Sequence, residues 1–560
     1  MNRILVASLA VMLAGFVIGV SFGPIYSGDD TYQSLSHLDT WVKAFESSDF
    51  LPTWTPGDAN GYGSPLPFFY HKAFNFIAAA FSIILENQVY GFRAGVLFFS
   101  IAMFVGMYFL SGQLLAQDVE SRSDITRTRL VIATAFLFSP YALTNLVART
   151  AVAEFSAMAI VSFVIAFALS IVNTQRRMIA KSWGLIGCFM LLGLAHITIF
   201  LATIAVIVSG AIFYLKGSTR SGAAAVIFSA CFSLGLFLVL VYVPFVYWGK
   251  LFSPQQALIW GRPAANTVSL LQLVSPLPHS RFAWISVALI GLLFFQSRRL
   301  NSRKDYLTLG LGLFALLLMV CMTKISNPLW RASSQFDFVQ FPWRLLAVST
   351  PLVFAAFAGA TGLMTAKVRP RFEALLILVT IVQSLYFMTS VARHYTVIPE
   401  NQIVHSPQLM ASWNPDAGGE YFPARYAEGL ASMNVLTAKP NTVLPPPQKF
   451  VRTDGACDVD DIIEPDQISM LRFKVACHGS GVVHIAQFQT PFLDASVVRS
   501  DGTLSSGIAS DAMLNFPLTS GVWQVSIRER GYLELVLMAW SRPRTEHAAE
   551  KIVSRLKATP

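Results

Sequence analysis

The sequence predicts a mainly α polytopic membrane protein of about eleven transmembrane helices with a C-terminal external β-rich domain. Three observations predict it. The 560 residues are 54% hydrophobic and 13% charged, with a mean hydropathy of +0.55, too apolar for a soluble multidomain chain. Apolar stretches of roughly 20 residues, enough to cross about 30 Å of hydrocarbon, recur along positions 1–391. Beyond that point Pro and Gly become frequent, and short strand-like segments replace the apolar runs.

The first segment, RILVASLAVMLAGFVIGVSFG, has one basic residue, Arg3, before a long apolar run and lacks a small-residue cleavage site, so it reads as an uncleaved signal anchor. Further spans are expected near 89–115, 130–147, 152–173, 222–246, 282–297, 306–323, 343–366 and 373–391. The run from Trp183 to Leu215 is too long for one span and reads as two short helices turning near His196. The segment 71–86, HKAFNFIAAAFSIILE, reads as an interfacial helix, because counting it as a span would invert every later loop.

Placing the N-terminus in the cytoplasm puts five short basic loops there: Arg122, Arg127 and Arg129; Arg176, Arg177 and Lys181; Lys216 and Arg220; Arg298, Arg299, Arg303 and Lys304; Lys367, Arg369 and Arg371. That distribution follows the positive-inside rule. It also accounts for the net charge of +10 without a nucleic-acid partner. The expected organisation is a transmembrane domain, 1–391, whose external loop 24–70 bears the candidate site, followed by an external β-rich domain, 392–560. Segments such as SMLRFKVAC, VVHIAQFQ and VWQVSIRER read as its strands. Cys457 and Cys477 lie there and are either disulfide partners in an oxidising compartment or two unpaired thiols. No CxxC or His-rich metal spacing occurs.

The opening loop carries the most chemistry. Asp30 and His37 are seven residues apart, two helical turns, so a helix over about 31–46 puts them on one face with Trp41 nearby. Tyr32, Leu35, Leu38, Val42 and Phe45 form a separate apolar face. The plain alternative is that Asp29 or Asp30 caps this helix, although a cap needs only one of them. Other polar groups fall at external turns: Arg149 and Glu154 in VARTAVAEF, His196 in GLAHITIF, and Lys324, Arg331, Gln340 and Arg344 in TKISNPLWRASSQFDFVQFPWRLL. Singly, each has a structural reading, as a hydrogen-bonded His, a snorkelling Arg or an interfacial Trp. Together they describe an external cavity with acids on one side and cations on the other, and ionisable groups at membrane depth are usually functional. Such a cavity suits transfer from a phosphate-activated lipid: a carboxylate takes the proton of an acceptor hydroxyl, and Arg or Lys neutralises the departing phosphate. Nucleotides are not expected outside the membrane, which removes kinase and nucleotide-sugar readings. GYG at 61–63 follows no strand and reads as a tight turn.

The N-terminal span, the acid and histidine of the first external loop, and LPTWTPGDANGYGSPLPFFY resemble the pattern of GT-C type membrane glycosyltransferases. A narrower resemblance is to bacterial membrane proteins labelled 6-pyruvoyl-tetrahydropterin synthase related, a label that names no activity. These are similar in the Asp30 and His37 spacing, the run from Gly61 to Tyr70, the Arg149 to Glu154 turn, His196, QFPWR at 340–344 and EYFPARY at 420–426. The usual Pro after the FY pair is absent, replaced by His71 and Lys72.

The resemblance implies an integral membrane glycosyltransferase of a bacterial inner membrane. It would move a sugar from a polyprenyl-phosphate-linked donor to an acceptor glycan or lipid on the periplasmic face. Asp30 or Asp29 would be the catalytic base; His37, Glu154 and His196 would position the acceptor or a metal; Arg149, Arg331, Arg344 and Lys324 would bind the phosphate. GT-C enzymes divide between those using a divalent cation and those using none, and the spacing of Asp30, Glu154 and His196 leaves Mg or Mn open. The β-rich tail would cover the cavity, with Trp413, Tyr421 and Tyr426 as stacking surfaces. The rival reading is a non-catalytic scaffold or flippase in export of lipid-linked glycans. A transporter would carry polar groups near the bilayer midplane, whereas 222–246, 282–297 and 306–323 are uncharged.

Overall fold

The computed structural model describes residues 2–57, 63–115, 122–174, 176–215, 219–249, 262–270, 291, 303–333, 336, 339–362, 364–365, 367–398, 450–459, 470–488, 490–505 and 513–541. The chain forms two compact units. One comprises Met1–Glu46, His71–Leu236 and Gln256–Asn414; the other comprises Ser47–Tyr70, Phe237–Gln255 and Pro415–Pro560.

The first unit is helical. Its elements are α1 (Asn2–Phe22), α2 (Thr31–Glu46), α3 (Ala73–Leu85), α4 (Gln88–Leu114), α5 (Arg122–Leu137), α6 (Val152–Asn173), α7 (Met178–Ala195), α8 (Ile197–Ile212), the start of α9 (Arg220–Phe237), α10 (Arg303–Cys321), α11 (Leu346–Gly362) and α12 (Arg369–His394). Among the described residues, seven helical segments are long and apolar enough to cross a membrane: Leu5–Phe22, Gln88–Leu114, Val152–Asn173, Met178–Ala195, Arg220–Gly249, Pro342–Gly362 and Arg369–His394. Ser123–Leu137 and Pro140–Ala148 make an eighth if taken as one span bent by 42°. The bend falls at Pro140 and a π turn, Thr144–Ala148, both recognised causes of kinks. Every expected span coincides with a helix except 282–297, which apart from residue 291 lies outside the described residues, although α8 and Tyr306–Cys321 are shorter than a full crossing.

A two-residue ladder joins β1 (Ile25–Tyr26) to β2 (Val397–Ile398), with Ile25 opposite Ile398. The C-terminal ends of α1 and α12 therefore share one face of the unit, which requires an odd number of crossings from α1 to α12. The segment expected to be interfacial is α3. It folds back on α4, where Gly91 and Gly95 leave room for Ser82 and Ala78. Arg93 donates to Ser21 O and Gly23 O, both at 2.9 Å, so this end of α4 lies level with the end of α1. At about 1.5 Å per residue, α3 is too short to cross. At the opposite face, basic side chains turn back onto helix ends: Lys181 Nζ donates to Ser170 O at 3.1 Å and Arg129 Nε to Tyr108 O at 3.0 Å.

The second unit is built on a six-stranded antiparallel sheet, ordered β3-β4-β8-β5-β6 with β7 paired to β4. The strands are β3 (Val451–Val459), β4 (Met470–Phe488), β5 (Leu493–Arg499), β6 (Leu504–Ser505), β7 (Met513–Leu518) and β8 (Gly521–Glu529), followed by helix α13 (Tyr532–Ser541). Alternate residues Phe473, Val475, Val483, Ile485, Trp523, Val525 and Ile527 point into its core. Cys457 and Cys477 face each other on β3 and β4 and are disulfide-bonded.

Trp54, Phe68 and Phe69 from the opening loop, and Trp248, complete this core around Phe492. Trp54 Nε1 donates to Gln487 Oε1 at 2.8 Å, and the Glu529 carboxyl accepts from Thr53 Oγ1 and Trp54 N–H, each at 2.9 Å, as well as from Thr53 N–H. The expected two-part division at 391/392 is thus corrected. The loop 24–70 splits after Glu46, because its aromatic second half supplies core that the sheet lacks, and Phe237–Gln255 joins the sheet unit as well.

Candidate active site

The site lies within the helical unit and starts from backbone geometry. Gly28 passes so close to Ala148 O that a Cβ could not be accommodated. Asp30 N–H donates to Arg149 O at 2.7 Å. Thr150 holds a φ of 56°, a left-handed conformation that β-branched residues rarely adopt. Thr31 Oγ1, 2.6 Å from Thr150 Oγ1, and Ser34 Oγ, donating to Thr150 O at 2.9 Å, clamp it there. The first turn of α2 and the turn before α6 are thereby locked together.

Side chains then converge on Glu154. Arg149 binds it at two points, Nη1 to Oε2 at 2.9 Å and Nη2 to Oε1 at 3.1 Å. Arg344 Nε donates to the same Oε1 at 3.1 Å, and Tyr141 OH donates to Oε2. Asn145 Oδ1 accepts from Arg149 at 3.1 Å, and Gln340 Oε1 accepts from Arg344 Nη1 at 3.3 Å. A buried carboxylate held by two guanidiniums and a phenol is a satisfied ionic core.

Asp30 occupies the rim. Its carboxylate reaches Arg149 Nη2 at 3.4 Å and keeps 34% of its side chain exposed. Burial pushes its pKa up, with Arg149 pulling the other way. Ser34 N–H donates to Asp30 O at 2.9 Å, so Asp30 opens the first turn of α2. Asp29 is exposed.

His196 breaks the helix between α7 and α8 and stacks on His71 with ring centroids 4.4 Å apart. Only 2% of it is exposed, and burial lowers its pKa to about 3. Neighbouring Lys72 is buried and lowered to about 7 by loss of solvation, while its N–H donates to Leu194 O at 2.9 Å.

The structure therefore brings together Asp30, Arg149, Glu154, His196 and Arg344. It does not bring in the other expected residues. His37 is buried along α2, its pKa lowered to about 3 by burial, and the charges acting most on Asp30 are those of Arg149, Glu154, Arg344 and Asp29. Lys324 and Arg331 are exposed, because the Pro328 turn buries Trp330 instead, its Nε1 donating to Cys321 O at 2.8 Å. Trp413, Tyr421 and Tyr426 lie outside the described residues. Sequence reading missed Tyr141 and Asn145, although their spacing of four to each other and to Arg149 marks one helical face. It noted His71 and Lys72 only as departures from a pattern.

A divalent cation does not fit Glu154 as placed, since both carboxylate oxygens already accept hydrogen bonds. Among the described residues no three His, Cys, Asp or Glu side chains converge as a ligand set.

No family model and no curated protein matches the sequence. Among solved structures the chain is similar to the arabinofuranosyltransferase AftD from Mycobacteria, with 17% identity and a TM-score of 0.47 over 74% of this chain and 29% of that one. It is also similar to ArnT from Cupriavidus metallidurans bound to undecaprenyl phosphate, with 13% identity and a TM-score of 0.45 over 79% and 74%. A third is the Archaeoglobus fulgidus oligosaccharyltransferase tethered with an acceptor peptide, with 12% identity and a TM-score of 0.43 over 76% and 58%. The chain spans less than two thirds of AftD and of the oligosaccharyltransferase. With every TM-score below one half, the likeness transfers neither fold nor activity to this chain. None of the three carries the 6-pyruvoyl-tetrahydropterin synthase label, and nothing in the fold or the site supports it.

Proposed function

We propose that this protein is an integral membrane glycosyltransferase that moves a sugar from a polyprenyl-phosphate-linked donor to a glycan or lipid acceptor on the external face of a bacterial inner membrane. One observation carries the reading: the partly exposed Asp30 carboxylate stands at the rim of a buried cluster and shares the Arg149 guanidinium with Glu154, which Arg344 also binds. In this mechanism Asp30 takes the proton of an acceptor hydroxyl as its oxygen bonds to the anomeric carbon. The bond from that carbon to the phosphate oxygen breaks, and its electron pair leaves with the polyprenyl phosphate. Arg344 is the cation suited to that charge, since its hydrogen bonds among the described residues engage Nε and Nη1 and not Nη2. Arg149 and Glu154 hold Asp30 and Arg344 in place. The basic loops at the opposite face support the external orientation.

The test is transfer of labelled sugar from the polyprenyl-phosphate pool in membranes with and without this protein. Product that depends on the protein supports the reading. Absence of product across the membrane's labelled donors, with export of lipid-linked glycan still dependent on the chain, favours the scaffold or flippase.

A further inference from the structure

Helix α13 has ten residues, YLELVLMAWS, and is apolar around most of its circumference. Leu535, Val536 and Ala539 are buried in the sheet unit. Leu533, Leu537 and Trp540, spaced four and three apart on one stripe, are 66%, 68% and 48% exposed. The one charged residue, Glu534, is tied to Arg528 at 3.1 Å and to Arg530 at 3.4 Å. A helix that is apolar on all sides belongs in a protein core or a membrane.

Its neighbour within the same unit is the end of the membrane-crossing segment Arg220–Gly249. That segment contains a π turn, Leu238–Tyr242, which releases backbone carbonyls from regular helical bonding. Val239 O accepts from Trp540 Nε1 at 3.0 Å, and Leu240 O accepts from Tyr532 OH at 3.1 Å. Trp248 Nε1 donates back to Leu535 O at 3.1 Å. Leu238, Val239, Tyr242 and Val246 are exposed beside these contacts, so the α13 stripe continues the outward surface of a membrane span. Val239 follows Arg220 by about 20 residues, roughly 30 Å of helix. That places it at the hydrocarbon border, where Trp and Tyr side chains concentrate.

We infer that α13 is an interfacial membrane anchor whose Leu533, Leu537 and Trp540 insert among lipid acyl chains and tie the sheet unit to the bilayer. At about 15 Å the helix is too short to span. Its occupant is lipid because the exposed stripe is continuous with a span and its only charge is neutralised. This inference is independent of the proposed reaction.

The experiment uses the full chain in phosphatidylcholine nanodiscs, with Cys188, Cys231 and Cys321 replaced by Ala. A fluorophore is attached at Leu537→Cys, at Leu533→Cys as a second position, or at Asp501→Cys in the polar turn between β5 and β6 as a water-exposed reference. Labels at 533 and 537 are expected to be quenched by nitroxide-bearing phosphatidylcholine and shielded from aqueous iodide, with the reverse at 501. Iodide quenching at 533 and 537 equal to that at 501 would overturn the inference. Shielding from both quenchers would overturn it too, since the stripe would then be covered by protein.

Discussion

Arg149 grips Glu154 at two points, 2.9 and 3.1 Å, while the same guanidinium reaches Asp30 at 3.4 Å. One cation thus couples a fully buried acid to a half-exposed one. Glu154 is the enclosed member of the pair, and Asp30 is the member open to solvent.

Glu154→Gln leaves Arg344 without its counter-charge and the buried Arg149 with only the 3.4 Å contact to Asp30. Removing one partner of a buried ion pair costs on the order of 3 kcal/mol or more. A clear fall in the thermal unfolding midpoint in detergent is expected, larger than that of Asp30→Asn, whose carboxylate is partly solvated.

Gly28→Ala tests positioning. The added Cβ must displace the 27–31 segment from Ala148 O, at a cost of about 1–3 kcal/mol. Because the same segment carries Asp30 to Arg149, kcat for sugar transfer is expected to fall further than KM changes.

Much of this arrangement was legible beforehand. Hydropathy marks the helices because lipid selects apolar runs irrespective of tertiary detail, and the seven-residue spacing from Asp30 to His37 located α2. Arg149, Glu154 and Arg344 stood out as charges inside apolar sequence. His37 did not join them, because helical phase fixes which residues share a face of α2 and not what that face packs against. Tyr141 and Asn145 were hidden by the bend at Pro140, which interrupts the apolar period. The split of the opening loop after Glu46 depends on Trp54, Phe68 and Phe69 finding the sheet core, a long-range contact that local pattern does not encode.

Glu529 predicts a pH dependence in the sheet unit. Burial raises its carboxyl from 4.5 to about 8, against the hydrogen bonds from Thr53 and Trp54. The folded chain therefore holds this proton more tightly than the unfolded one. The resulting stabilisation is complete below about pH 4.5 and is lost as pH rises towards 8. Glu529→Gln keeps an acceptor oxygen and carries no charge, so its unfolding midpoint should fall less between pH 6 and pH 9 than that of the wild type, as followed by near-ultraviolet circular dichroism.

The Cys457–Cys477 bond closes a loop with a sequence separation of 20. Replacing both cysteines with Ser should destabilise the sheet unit by about 3 kcal/mol. Limited proteolysis should then cut within β3 and β4 sooner than in the wild type.

The most direct test of the central claim is the rate of sugar transfer by Asp30→Asn and Asp29→Asn in membranes matched for protein level and unfolding midpoint. Asp30→Asn should lose transfer by on the order of 100-fold or more, the usual contribution of a general base, while Asp29→Asn stays near the wild-type rate. Wild-type transfer by Asp30→Asn would contradict the assignment of Asp30 as the base.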